Sequence, residues 1–195
     1  MSAPAVCLAL LLDASASVDT QAWRLMLDGH AEAFRQPAVI RAAETDGLAV
    51  ALIQYSDAPS PATWRILRTE AEARRYAAQI AAQPRQHMAG TNTGRAIHAA
   101  LDAMESGPAC EQHVIDVATD GAASDWEDVR TARERAQNIG VRINAVGVVT
   151  TADPDPEPWL RQEIITADGF VIIADGWADF ARAISRKLVI EVSAR

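Results

Sequence analysis

Oxygen-bearing side chains are concentrated in three short segments of the sequence, two of which directly follow a hydrophobic run. The segments are Asp13-Ala14-Ser15-Ala16-Ser17, Gly90-Thr91-Asn92-Thr93-Gly94 and Thr119-Asp120-Gly121. Carboxylates and hydroxyls are the ligands that Mg²⁺, Mn²⁺ and Ca²⁺ prefer, and the lack of cysteine and histidine argues against zinc or copper. The segments therefore predict a site for a divalent cation, with Mg²⁺ as the first choice and Mn²⁺ or Ca²⁺ as alternatives.

The charge of these ligands indicates what such a site would do. Asp13 and Asp120 just balance the two positive charges of the ion, and the hydroxyl ligands are neutral. The ion therefore stays electrophilic, and a carboxylate from another molecule can complete its coordination sphere. We expect the partner to be a protein that offers an aspartate or glutamate side chain.

Alternating elements must position these segments. Apolar, strand-like runs occur at residues 5–12, 48–55, 113–119, 141–149 and 169–174, and helical patterns at 20–36, 70–82, 92–105, 125–138, 158–165 and 177–190. This alternation predicts one α/β domain over residues 1–195, a doubly wound, Rossmann-like fold with a mostly parallel sheet and helices on both faces. Ligands bind such sheets at the carboxyl ends of the strands, where the strand order reverses.

One further strand is predicted at residues 63–69, which alternate in hydropathy. The Pro-rich turn from Asp57 to Pro61 is too short to hold a crossover helix. This strand should therefore be antiparallel and lie at an edge of the sheet.

The three segments, in this order on this alternation, resemble the von Willebrand factor A superfamily, integrin inserted domains among them, over nearly the whole chain. Within it the sequence is most similar to the bacterial DUF1194 group. That similarity is carried by residues 12–19, Phe34-Arg35-Gln36-Pro37-Ala38-Val39-Ile40, Val114-Ile115-Asp116-Val117 and the closing run 169–188.

The resemblance implies a metal-ion-dependent adhesion site. Ser15, Ser17 and Thr91 would ligate the ion through their hydroxyls, and Asp13 and Asp120 would bind it directly or through water. It favours Thr91 over its competitor because the family motif puts the metal-binding hydroxyl directly after the glycine.

Three other residues are candidates to support the ligands. Thr93 could cap the following helix or back the site. Asp19 is placed to cap the helix that begins at residue 20, and with Ser15 and Ser17 it could form nothing more than an N-terminal capping cluster. Asp116 lies inside a buried strand and needs a partner. We expect that partner to be an arginine or a hydroxyl beneath the site, with direct support of the ligands as the alternative.

Other polar and aromatic residues receive no metal-binding role. The four histidines share no ligand-like spacing: His30, His87, His98 and His113. The tryptophans are expected to pack in the core, with Trp126 and Trp159 also placed to touch a partner. The acidic, Pro-rich stretch with Asp153, Asp155 and Glu157 is expected to be a solvated loop rather than a second calcium site.

Composition and charge restrict the class of partner and the cellular compartment that we expect. The formal net charge of −8 argues against nucleic-acid binding. The apolar run at residues 4–12 leads straight into Asp13 and is expected to be a strand and not an export signal, and no run approaches the roughly 20 residues of a membrane helix. Richness in alanine and arginine, with Lys187 as the single lysine, is typical of a bacterial protein. A soluble chain is expected, periplasmic or secreted if an export signal has been removed.

The two cysteines are too few for a disulfide framework. Cys7 lies in an apolar run and is expected to be a small buried hydrophobe. A bridge from Cys7 to Cys110, in the turn-like stretch that starts at Ser106, is the alternative.

An enzyme is the competing class of function. Phosphotransferases with an aspartate nucleophile commonly carry a second carboxylate two residues later, where this chain has Ser15. Neither a phosphate-binding Gly-rich loop ending in Lys-Ser or Lys-Thr nor a dinucleotide fingerprint is present. We expect a non-enzymatic, metal-dependent adhesion module; a hydrolase or phosphotransferase using the same metal, or a scaffold subunit of an ATPase-linked assembly, are the alternatives.

Overall fold

A computed structural model describes residues 2–86 and 89–193, so the interpretation of His87 lies outside the described residues. Six strands form one sheet in the order β3-β2-β1-β4-β5-β6, and only β3 is antiparallel. The strands are β1 Val6–Asp13, β2 Leu48–Tyr55, β3 Arg65–Leu67, β4 Gln112–Thr119, β5 Arg142–Val148 and β6 Val171–Ala174. The predicted fold class is confirmed, including the antiparallel edge strand.

Helices cover both faces of the sheet. They are α1 Thr20–Ala33, α2 Pro37–Asp46, α3 Glu70–Ala81, α4 Thr93–Glu105, α5 Trp126–Asn138, α6 Glu157–Trp159 and α7 Phe180–Ser193. A π-helical turn, Leu160–Ile164, continues α6, and a 3₁₀ turn, Trp177–Asp179, precedes α7. In the part of the chain that the structure describes, no helix is long and apolar enough to cross a membrane.

The central strand β1 explains why its sequence is apolar without alternation. Leu10 and Leu12 face the core formed with α1, α2, α3 and α7, whereas Ala9 and Leu11 face the core formed with α4 and α5. A strand that is covered on both faces must bury every side chain, and all eight residues of β1 are buried.

The strand order reverses at β1. The chain passes from β1 to β2 on one side and later returns to β4 on the other, so β1 and β4 lie side by side. Their carboxyl ends therefore border the crevice in which open α/β sheets bind ligands. Asp13 is the last residue of β1, and Asp120 directly follows β4.

Three elements differ from the sequence-based expectation. Strand β3 pairs over three residues only, and its C-terminal end is set by Thr69, which already caps α3. The stretch after Gln36, where no helix was predicted, is helix α2, with a proline at its tolerated first turn. The expected helix at 158–165 is the short α6 and its π-helical turn.

Cys7 is buried as expected, but it forms a disulfide with Cys110, so the preference for an unpaired Cys7 was wrong. Cys7 and Cys110 have Cα atoms 5.6 Å apart although 103 residues separate them. Pairing of β1 with β4 puts Cys7 opposite His113, and Cys110 comes just before β4. The bridge therefore joins two segments that only the tertiary fold makes neighbours.

Asp116 has a buried partner, but it is neither an arginine nor a hydroxyl. The Nζ atom of Lys187, on α7, lies 2.6 Å from Asp116 Oδ1 and 2.5 Å from Glu191 Oε1, and all three side chains are fully buried or nearly so. Asn144 Nδ2 donates to the same Glu191 oxygen at 2.8 Å. Asp116 faces α7 because it alternates with Val117, which points to the opposite face. It therefore does not support the predicted cation ligands directly.

Candidate metal site

Four of the predicted ligands form one continuous chain of oxygen atoms. Asp13 ends β1 and its Oδ1 accepts a hydrogen bond from the backbone N–H of Ser15 at 2.8 Å. Ser15 Oγ lies 3.0 Å from Ser17 Oγ, which donates to Asp120 Oδ1 at 2.7 Å. The structure therefore brings together the Asp-x-Ser-x-Ser loop after β1 and the aspartate after β4.

Thr119, the last residue of β4, supports Asp13, a role that its motif does not predict. Its hydroxyl donates to Asp13 Oδ2 at 2.7 Å and accepts a hydrogen bond from the N–H of Gly121 at 3.3 Å. Both oxygens of Asp13 are thus held in place before any ion binds. A hydroxyl residue at a buried strand end, directly before an aspartate, is the signal that would have found it.

The segment that contains Thr91 is fastened to the loop between β4 and α5. Thr91 N–H donates to Ser124 Oγ at 3.1 Å, and Ser124 N–H donates to the Thr91 carbonyl at 2.9 Å. Thr91 is half-buried, whereas Thr93 is buried beside Tyr55. Among the described residues, no hydrogen bond links the Thr91 hydroxyl to the Asp13–Asp120 chain of oxygens. Its role as the fifth ligand stays a prediction.

Asp125 is a positioning residue that the sequence reasoning missed. Its carboxylate accepts hydrogen bonds from the N–H groups of Gly94 at 3.1 Å and Arg95 at 3.0 Å, so it caps α4 from the start of α5. A Cβ atom on Gly94 would lie 2.3 Å from Val129 N, so only glycine permits this close approach. The approach holds the second segment beside the start of α5, close to the loop that follows the third segment.

Arg85 holds the loop after β1 from the other side. Its Nη2 donates to the carbonyl of Ala14 at 3.0 Å and to that of Ser15, and the guanidinium lies 5.8 Å from the centre of the Trp23 ring. The arginine therefore bonds backbone carbonyls of the loop rather than the carboxylates. Because it is remote in sequence from the loop, no local pattern signals this contact.

Asp19 has the capping role expected of it. Its side chain accepts a hydrogen bond from Ala22 N–H at 2.7 Å at the start of α1. This fixes the point at which the chain leaves the loop after Ser17 and enters the helix. Asp19 therefore acts on the site through the backbone.

Burial makes the two carboxylates of the site hard to ionise. It raises the pKa of Asp13 to about 6; hydrogen bonds from Ser15 and Thr119 oppose the rise, and the nearby charge of Asp120 adds to it. Burial also raises the pKa of Asp120, against the hydrogen bond from Ser17 and the positive charge of Arg85. In residues 2–86 and 89–193, neither carboxylate has a basic side chain within ion-pair distance.

These residues fit a divalent cation. Two buried, unpaired carboxylates are costly unless a positive charge joins them, and the Ser15 and Ser17 hydroxyls beside them are suitable oxygen ligands. No group of three or more histidine, cysteine, aspartate or glutamate side chains within the described ranges is placed to hold a metal. An ion bound here would therefore depend on the hydroxyls.

The family is decided by the sequence from residue 4 to residue 195, which matches the family model described as "Protein of unknown function (DUF1194)". The chain belongs to the DUF1194 family. No curated protein matches this DUF1194 sequence at a significant level.

Solved structures of low sequence identity share the fold of this DUF1194 domain. Proximal thread matrix protein 1 from the mussel byssus has a TM-score of 0.72 and 14% identity, covering 98% of this chain and 48% of its own. A von Willebrand factor type A protein from Catenulispora acidiphila gives 0.67 and 17%, covering 98% and 43%. The von Willebrand factor domain of the type V pilus tip protein Mfa5 from Porphyromonas gingivalis gives 0.66 and 12%, covering 98% and 97%.

These likenesses establish the von Willebrand factor A fold for the DUF1194 chain, which spans about half the length of the first two of these proteins. A further structure of the mussel protein is described as having a zinc-occupied metal-ion-dependent adhesion motif, at a TM-score of 0.69 and 16% identity over 97% of this chain and 46% of that one.

Proposed function

We propose that this DUF1194 domain binds a divalent cation and uses it to capture an acidic side chain of a protein partner. The observation that carries the proposal is the hydrogen-bonded chain Asp13–Ser15–Ser17–Asp120 at the reversal of strand order, where two buried carboxylates lack a countercharge. The zinc-occupied motif of the mussel protein supports a metal in this place on the fold.

Asp13, Ser15, Ser17 and Asp120 would hold the ion, with Thr91 as the fifth ligand. Thr93 is the weaker competitor because the family motif puts the metal-binding hydroxyl directly after the glycine, where this chain has Thr91. The bound cation supplies a positive centre with a position open to a carboxylate. Mg²⁺ suits the oxygen ligands best, and the zinc in the mussel protein makes Zn²⁺ a necessary comparison in any measurement.

We further propose that the domain is not an enzyme and works outside the cytosol. Among the described residues, the hydrogen bonds to Asp13 and Asp120 come from hydroxyls and backbone N–H groups, and no histidine, lysine or cysteine side chain joins them as a nucleophile or a general base. The disulfide between Cys7 and Cys110 favours an oxidising compartment such as the periplasm or the extracellular space.

Isothermal titration with Mg²⁺, Mn²⁺, Ca²⁺ and Zn²⁺ tests the metal site. Asp13→Ala is expected to weaken binding of the preferred ion by roughly 100-fold or more, because it removes one of the two ligand charges. Asp28→Ala, the same change at an exposed position of α1, should leave the affinity unchanged. Thr91→Ala should weaken binding more than Thr93→Ala does. Equal affinity of the parent and Asp13→Ala would refute the site.

The capture step is tested with two blocked peptides, acetyl-Gly-Asp-Gly-amide and acetyl-Gly-Asn-Gly-amide. With Mn²⁺ on the protein, the paramagnetic ion should broaden the proton signals of the aspartate peptide and not those of the asparagine peptide. Chelator should abolish the difference. Equal broadening of both peptides would contradict carboxylate capture.

The affinity for the cation is expected to decline below pH 6. Since burial raises the pKa of Asp13 to about 6, a proton competes with the ion for this carboxylate below that pH. One displaced proton lowers the affinity by about tenfold for each further pH unit. An ordinary aspartate would compete only below about pH 4. Titrations at pH 7.5, 6.5, 5.5 and 4.5 measure this, and a constant affinity over that range would contradict it.

Thr119→Val provides the matched control for the pH dependence. The Thr119 hydroxyl donates to Asp13 and lowers the pKa of that carboxyl. Without it the pKa should rise, and the decline in affinity should begin at a higher pH than in the parent. A decline that begins at a lower pH would show that another group controls it.

A further inference from the structure

A cleft of about 700 Å³ opens directly beside the proposed cation site. Ser17 and Asp120 line its edge, so the cleft and the cation site share two residues. The remaining walls come from the loops after β4 and β5 and from two tryptophans: Gly121, Ala122, Thr150, Thr151, Ala152, Asp153, Trp159 and Trp177. A molecule bound to the cation would therefore extend over the cleft.

The two tryptophans are held firmly, and each keeps part of its ring accessible. Trp159 Nε1 donates to Asp153 Oδ2 at 2.8 Å, and its ring packs edge-on against Trp126 with 6.1 Å between centres. Trp177 packs against Phe180 at 5.6 Å. Both indoles are half-buried, so each fills part of the core and presents the rest of its surface to the cleft. Fixed aromatic walls bind an apolar group with little loss of side-chain freedom.

Charge selects what can enter the cleft. Its described lining contains two carboxylates, Asp120 and Asp153, and no basic side chain. Asp153 would repel a second acid, and a cation bound at the edge would repel a partner's lysine or arginine. The small residues Gly121 and Ala152 leave room between the indoles. An uncharged, bulky apolar group is the complementary occupant.

We infer that the cleft receives a large apolar side chain, aromatic or leucine, that lies one or two residues from the carboxylate of the protein partner. The inference rests on the proposed function, because the cation fixes one end of the partner segment. An extended peptide advances about 3.3 Å per residue, so a neighbouring side chain reaches a cleft that starts at the ion's own ligands. The site would thus recognise two features of the partner together, a carboxylate and a neighbouring apolar side chain.

Blocked peptides with one aspartate test the inference when tryptophan, leucine, serine, lysine or glutamate is placed one or two residues after it. With the preferred cation present, the tryptophan and leucine peptides should bind about tenfold more tightly than the serine peptides, because their side chains leave water. Lysine and glutamate peptides should bind no better than serine ones. Line broadening by Mn²⁺ or calorimetry measures the affinities.

Two variants locate this preference in the cleft. Ala152→Glu places a charge at an exposed cleft position and should abolish the tenfold preference in a protein that still binds the cation. Ala78→Glu, the same change at an exposed position of α3, should keep the preference. Trp177→Ala should also reduce the preference for apolar peptides. If Trp177→Ala folds poorly, Ala152→Glu alone decides the test.

The following outcomes would contradict the inference. A preference that survives Ala152→Glu, or equal affinity for all aspartate peptides, would refute the role of the cleft while leaving carboxylate capture intact. Tighter binding of a glucuronic-acid oligosaccharide than of every peptide would assign the cleft to a glycan instead. Binding that is the same with chelator, and the same for aspartate and asparagine, would refute the proposed function itself.

Discussion

Replacing Lys187 with methionine is expected to lower the free energy of unfolding by about 3–5 kcal/mol. Lys187 is fully buried between Asp116 and Glu191, at 2.6 and 2.5 Å, and the substitution leaves both carboxylates without a countercharge. Methionine has a similar length and fills similar space, so the loss reports mainly the charge. Urea denaturation of the parent and the variant measures it.

The stability that Lys187→Met loses should increase as the pH rises. Burial raises the pKa of Glu191, and the charge of Asp116 adds to the rise, whereas Lys187 opposes it. Without the lysine, Glu191 holds its proton still more tightly in the folded state than in the unfolded state. Stability then falls with increasing pH, so the variant should lose more at pH 8 than at pH 5.

Arg182→Met is the matched control, because Arg182 also forms an ion pair on α7. It lies 2.5 Å from Asp179, but its side chain is 62% exposed, and solvent screens such a pair, so its loss should change the free energy of unfolding little. Adding Asp116→Asn and Glu191→Gln to Lys187→Met should restore part of the stability, since no buried charge is then left. Equal losses of unfolding free energy in Lys187→Met and Arg182→Met would contradict the conclusion that the buried charge of Lys187 stabilises the fold.

Removing the disulfide with Cys7→Ala and Cys110→Ala together is expected to lower the free energy of unfolding by about 2–5 kcal/mol. The bridge joins residues 103 apart, so it removes a large loop from the conformations open to the unfolded chain. Urea denaturation of the oxidised protein and of the double variant measures the difference.

Reduction provides the control for the disulfide. A phosphine reductant should destabilise the parent by about the same amount and leave the double variant unchanged. The oxidised parent, unfolded in denaturant, should show no free thiol. Two reactive thiols in that sample, or unchanged stability of the double variant, would show that the bridge does not form or does not matter.

The sequence by itself determined the architecture, because the spacing of apolar residues in each segment depends on how many of its faces are covered. That spacing distinguishes helices from strands and buried strands from edge strands. The uninterrupted apolar run of β1 predicts a strand covered on both sides, and the short connection after Asp57 predicts the antiparallel edge strand. The ends of parallel strands lie at one edge of the sheet, so Asp13 and Asp120 could be placed together without coordinates. The capping role of Asp19 needs only the next three residues, and it too was predictable.

Tertiary structure alone decided which distant residues touch. Nothing local to Cys7 indicates Cys110; their contact exists because β1 pairs with β4 in a particular register. Lys187 shows the same limit: helical spacing places it near Glu191, but its contact with Asp116 depends on how α7 packs on the sheet. Periodicity reports which face of an element is covered, and not what covers it.

In the candidate site, too, some features follow from the sequence and others from the tertiary structure. Its ligand types and their order belong to the sequence. The bond from Thr119 to Asp13, the cap that Asp125 places on α4, and the cleft between Trp159 and Trp177 were decided by packing. A side chain's chemistry is fixed by its residue type, whereas its neighbours across the fold are fixed by register and by the approach of helices, which no short stretch of sequence encodes.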